Sequence, residues 1–121
     1  MAEPAPAPDD VEAFASEFFR GHHFGPASAE KLVADLGEDA WYALTRRFDL
    51  LVEHFGDEGR ARELQDLVLE EGVPRAAALA RLMGLGLTLA YARRVHDAMG
   101  SDAVEALEAD PYRMVGVPGI G

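Results

Sequence analysis

Shifted against itself by 63 residues, the chain repeats: Leu36-Gly37-Glu38-Asp39-Ala40-Trp41-Tyr42-Ala43-Leu44 falls on Met99-Gly100-Ser101-Asp102-Ala103-Val104-Glu105-Ala106-Leu107. Under the same shift Ala27, Ala29, Val52 and Gly56 meet Ala90, Ala92, Val115 and Gly119. Glycine supplies backbone angles closed to other residues, and alanine lets two backbones approach, so matching glycines and alanines at one offset imply the same turns and contacts built twice. The repeat predicts two copies of one unit, about 9–59 and about 85–121, with 60–84 connecting them.

Each unit must be helical and finely divided. Glycines recur at positions 25, 37, 56, 59, 72, 84, 86, 100, 116, 119 and 121, and the segments between them carry apolar residues at helical rather than strand spacing. Helices are expected from Asp9 to about Arg20, Ala27 to Leu36, Asp39 to about Arg46, Phe48 to Phe55, Arg60 to Glu71, Pro74 to Met83, Thr88 to Met99 and Asp102 to Ala109, with a further turn from Pro111. Asp9 is the expected N-cap of the first helix, with Glu12 three residues on. Pro26, Pro74 and Pro111 stand where a first helical residue is expected. Residues 1–8 alternate proline with alanine and glutamate and read as an extended, solvated linker. The expected fold is all-α: eight or nine short helices in tandem helix-hairpin-helix units. A chain of 121 residues, 49% apolar and 27% charged, holds one such domain and not two independent ones.

Charge and composition remove several function classes. Twenty-two acidic against eleven basic side chains give a net charge of −11, which repels nucleic-acid backbones and anionic membranes as a whole. Any nucleic-acid contact must therefore be local. There is no cysteine, hence no disulfide frame or cysteine-based zinc site. The start lacks a signal peptide's basic and apolar regions, and no apolar run is long enough for a membrane span, so a cytoplasmic protein with no membrane partner is expected. His22 and His23 are adjacent and face different ways, no His-x3-His exists, and no metal is expected. Paired carboxylates (Asp9-Asp10, Asp57-Glu58, Glu70-Glu71) fall at caps, turns and helix ends. No nucleophile and base stand at catalytic spacing, and no glycine-rich run precedes Lys31, so the chain itself should neither be an enzyme nor hold ATP. Phe14, Phe18, Phe19, Trp41, Tyr42, Phe48 and Phe55 lie among aliphatic residues and read as core rather than base-stacking side chains.

Chemistry remains in the turns. His23-Phe24-Gly25-Pro26-Ala27-Ser28-Ala29, Gly86-Leu87-Thr88-Leu89-Ala90-Tyr91-Ala92 and Gly116-Val117-Pro118-Gly119-Ile120-Gly121 share a tight glycine turn around an apolar residue. In the first two, an alanine follows four residues after Gly25 or after Thr88, which stands at the second glycine's place. The apolar residue plugs the turn into the core, and bare N–H groups at the following helix start can hold a phosphate without reading a base. The candidate DNA-binding residues are Gly25 and Lys31 in the first hairpin, Gly86, Leu87, Thr88, Arg93 and Arg94 in the second, and Gly119, Ile120 and Gly121 in the third. The second is the favoured contact, because residues 81–100 carry three arginines against one acid, Asp97. Such hairpins equally serve as packing units or protein contacts. Gly56-Asp57-Glu58-Gly59 sets two carboxylates where an anion site needs bare N–H groups.

From Phe18-Phe19-Arg20-Gly21 through Phe24-Gly25-Pro26 and Gly37-Glu38-Asp39-Ala40, and above all from Leu85-Gly86-Leu87 through Ala92-Arg93-Arg94-Val95, Gly100, Asp102-Ala103, Asp110-Pro111-Tyr112-Arg113 and Gly119-Ile120-Gly121, the chain resembles the N-terminal region of RecD-like DNA helicases that work without RecB and RecC. The resemblance spans about residues 10–121. It implies an accessory, non-sequence-specific DNA-binding or positioning domain. The parent would be an ATP- and Mg²⁺-dependent helicase moving 5′ to 3′, its motor C-terminal to Gly121, its DNA single-stranded or a junction. Departures weaken phosphate binding: His23 stands at a usual glycine, Ala27 at a frequent lysine or arginine, and Thr88 at a second glycine. Gly119-Ile120-Gly121 stops short of the helix that would complete it, so the chain reads as a piece of a longer protein. The rival expectation is a protein-interaction or spacer module whose hairpins no longer bind DNA.

Overall fold

The computed structural model describes residues 5–100 and Glu105. Among them are six α-helices of eight residues or longer, one of six residues and a 3-10 turn: α1 (Pro8–Phe18), α2 (Pro26–Leu36), the 3-10 turn (Gly37–Asp39), α3 (Ala40–Thr45), α4 (Phe48–Phe55), α5 (Glu58–Glu71), α6 (Val73–Gly84) and α7 (Leu89–Met99). The described residues contain no strand. The all-α reading stands, and α4 has the expected bounds. The helices expected over 102–109 and from Pro111 lie outside the described residues, Glu105 apart, so the expected eight or nine are not reached within them.

The entry into α1 differs from the sequence reading. Ala7, not Asp9, is the N-cap; Pro8 occupies the first turn, and Asp10 Oδ2 accepts the Ala7 N–H at 3.1 Å. Proline lacks an N–H that the first turn would leave unpaired anyway, which moves the start forward and turns Asp10 into the capping carboxylate. The segment before it is not wholly solvated either, since Pro6 is buried.

An aromatic cluster forms one end of the core. Phe14 stacks on Phe18 at 4.5 Å between centroids and meets Trp41 edge-on at 5.9 Å, and Phe19 meets Phe24 edge-on at 5.2 Å. Phe14 and Phe19 are fully buried, each stabilising the fold by roughly 1.5–3 kcal/mol. Leu32, Leu44, Leu51, Leu64 and Val68 extend this core across α2 to α5.

Helix α6 buries seven of its twelve residues, Ala76 to Ala80, Leu82 and Met83. Its alanine run admits α1 on one side and α7 on another, and at Gly84 a Cβ would fall on the Asp10 carboxyl group. Thus 60–84, read from sequence as a connector, supplies a central helix of the core. A helix apolar nearly all round is a buried one.

Helices α2 and α7 are both eleven residues long and lie 63 positions apart at each end. Each buries two residues in register, Ala29 with Leu32 and Ala92 with Val95. Each ends on a glycine with positive φ, 53° at Gly37 and 70° at Gly100. The later part of the 63-residue correspondence lies outside the described residues.

Candidate nucleic-acid interface

The first hairpin joins α1 to α2 through residues 19–25. Gly21 (φ 92°) and His23 (φ 57°) both take the left-handed backbone, and Phe24, 4% exposed, plugs the turn against Phe19 and Phe55. Gly25 is the N-cap of α2, Pro26 opens the helix, and no side chain caps it. An uncapped helix start of this kind carries partial positive charge toward solvent. Lys31 is exposed on α2. Two contacts from α5 reach the turn: Arg60 Nη2 donates to the His23 carbonyl at 2.6 Å, and His22 Nδ1 donates to Glu63 Oε1 at 2.7 Å.

The second hairpin is shorter, residues 85–88, and the chain turns through 120° between α6 and α7. Gly86 takes φ 107°, as a left-handed turn requires, and Leu87 packs half-buried on the core. Its N–H groups are not bare: Gly86 N–H donates to Met83 O at 2.9 Å and Leu87 N–H to Leu82 O at 3.4 Å, which closes the end of α6. Thr88 caps α7, its Oγ1 accepting the Tyr91 N–H at 3.3 Å. The first helical N–H, of Leu89, is taken by Glu17 Oε2 of α1 at 2.8 Å. A carboxylate of the protein itself therefore sits on the α7 start that the sequence assigned to phosphate.

The cations there are engaged too. Arg93 gives Nη2 and Nε to Glu71 Oε1 at 2.8 and 3.2 Å. Glu71 also faces Arg75 at 3.6 Å, and Arg75 donates to Asp97 Oδ1 at 2.8 Å. The Arg75 hydrogen bond holds the Asp97 carboxyl below its ordinary range, as the Arg47 bond does for Asp49. Arg94 is exposed, its guanidinium 5.6 Å from the Tyr91 ring centre. Leu85 and Tyr91 leave an apolar rim on this hairpin, 47% and 41% exposed.

Gly56 closes α4 in the left-handed region and Asp57 caps α5 by accepting the Arg60 N–H at 3.2 Å, so this turn spends its carboxylate on its own helix. Gly119, Ile120 and Gly121 lie outside the described residues. Among the described residues no group of histidines and carboxylates is arranged to hold a metal ion, and no single helix is long and apolar enough to cross a membrane.

The structure gathers Gly86, Leu87, Thr88, Arg93 and Arg94 on one hairpin and Gly25 with Lys31 on the other, with α1 packed against both α2 and α6. Sequence reasoning missed Glu17, Glu71 and Arg60, whose partners are 72, 22 and 37 residues away. Only the glycine that marks each turn was a local signal. Comparison with family models, with characterised proteins and with solved structures returned no match.

Proposed function

We propose that this chain is an accessory helix-hairpin-helix domain, built as a tandem repeat, of a RecD-like helicase, and that it touches DNA backbone weakly and without reading sequence. The observation that carries this reading is the parallel between two helix entries. In each, a residue with left-handed backbone, His23 or Gly86, stands two positions before the N-cap of an eleven-residue helix, Gly25 or Thr88. Those positions are 63 apart, as are the buried Ala29 and Ala92.

The first hairpin is now the better phosphate contact, because the α2 start lacks a side-chain cap whereas α7 carries Thr88 and Glu17. The parent's ATP- and Mg²⁺-dependent motor would lie beyond Gly121, and this domain would place it on single-stranded or junction DNA. Amide shifts on adding a short single-stranded oligonucleotide should concentrate at residues 25–31, with smaller changes at 86–94. Shifts spread evenly, or none at low salt, contradict the proposal.

One arrangement favours the rival, a protein-interaction module. With Glu17 on the α7 start and Glu71 on Arg93, the second hairpin presents Leu85 and Tyr91 more readily than bare cations.

A further inference from the structure

We infer that the turn of the first hairpin is held in place by α5, with Arg60 as the positioning residue. His23 is the one non-glycine residue among those described with positive φ, a backbone that its Cβ disfavours. The matching position in the second hairpin, Gly86, bears no such strain. A disfavoured conformation persists when its surroundings over-determine it. Here the surroundings are identifiable. The His23 carbonyl accepts from Arg60 Nη2 at 2.6 Å. The Arg60 guanidinium lies 5.2 Å from the Phe55 ring centre, and Phe55 in turn meets Phe24 edge-on at 6.4 Å. Glu63, one turn of α5 further on, holds His22. Arg60 and Glu63 thus grip consecutive residues of the turn from one helix face, and Phe24 is locked beneath them.

The device makes the first hairpin an appendage of α5. Arg60 also engages its own helix cap, since its N–H bonds Asp57, so the grip is anchored where α5 begins. The clamp itself needs no DNA; its consequence for binding rests on the DNA-contacting role proposed above.

Hydrogen exchange on the isolated chain tests it, with three variants: Arg60→Met, which keeps the apolar stem but removes the donor, Arg60→Lys, which restores one, and His23→Gly, which removes the strain. The reporters are the His22 amide, bonded to Phe19 O, and the Ala92 amide of the other hairpin as an internal control. Arg60→Met should speed exchange at His22 by about tenfold while leaving Ala92 unchanged, because local opening is governed by local contacts. Arg60→Lys should recover most of the protection, and in a His23→Gly background Arg60→Met should lose most of its effect. Equal acceleration at His22 and Ala92, or an undiminished effect in the glycine background, overturns the clamp. Failure of the parent chain to bind DNA would overturn the proposed function and leave the clamp standing.

Discussion

Glu17 and Leu89 are 72 residues apart, yet the Glu17 carboxylate accepts the Leu89 N–H at 2.8 Å and so ties α1 to the first turn of α7. A carboxylate suits a helix start as an anion does, through unpaired N–H groups and the helix dipole. The protein has filled with its own side chain the position that a phosphate would seek.

Removing that carboxylate has two opposed effects. Glu17→Ala should lower stability by about 0.5–2 kcal/mol, as loss of a helix cap does. If α7 retains phosphate affinity, the same variant should bind DNA more tightly at low salt. A thermal melt and a DNA titration of the variant check both; an unchanged melting temperature would show that the contact contributes nothing.

Ala29 and Ala92 are fully buried at equivalent places on α2 and α7. Leucine at either should overpack its site and cost about 1–3 kcal/mol. Denaturant unfolding of the two variants measures this. Stability equal to the parent's in both would exclude a close helix approach at these two positions.

Asp97 gives a pH test of the α6–α7 pairing. Its carboxyl is held below the ordinary value by the Arg75 hydrogen bond, so the ion pair contributes stability above the ordinary carboxylate range and loses it as pH falls through the depressed value. Asp97 is exposed, and the contribution is small. The difference in melting temperature between the parent and Asp97→Asn should shrink as pH falls below about 5 and vanish in stronger acid, given an ordinary Asp value near 3.9. A difference that persists in strong acid would assign the effect to something other than the ion pair.

Local physics was readable in the sequence, and long-range pairing was not. Glycines at 37, 56, 72 and 100 mark helix ends because the chain there needs positive φ, which no neighbour has to supply. Alanine spacing placed Ala29 and Ala92 in the core for the same local reason. By contrast Arg93 and Arg94 look alike in the sequence, and only folding brings Glu71 to Arg93. The helix expected from Pro74 to Met83 is present, but its place in the core was not legible, because a run of alanines signals close packing without naming what packs on it. His23 was recognised as a departure from glycine, but the means of holding it, Arg60, lies on another helix.

Whether the domain touches DNA backbone as proposed is tested most directly by a titration of labelled single-stranded and forked DNA at two salt concentrations. With two or three phosphates neutralised, dissociation constants should be micromolar or weaker, alike for different sequences, and should rise with salt on a double-logarithmic plot with a slope of about 0.7 per phosphate on single strands and about 0.9 on duplex. Arg93→Ala/Arg94→Ala should flatten that slope by less than two units, since Glu71 already holds one of the pair. No binding of the parent chain even at low salt, or binding indifferent to salt, would contradict the account and leave a protein-interaction module in its place.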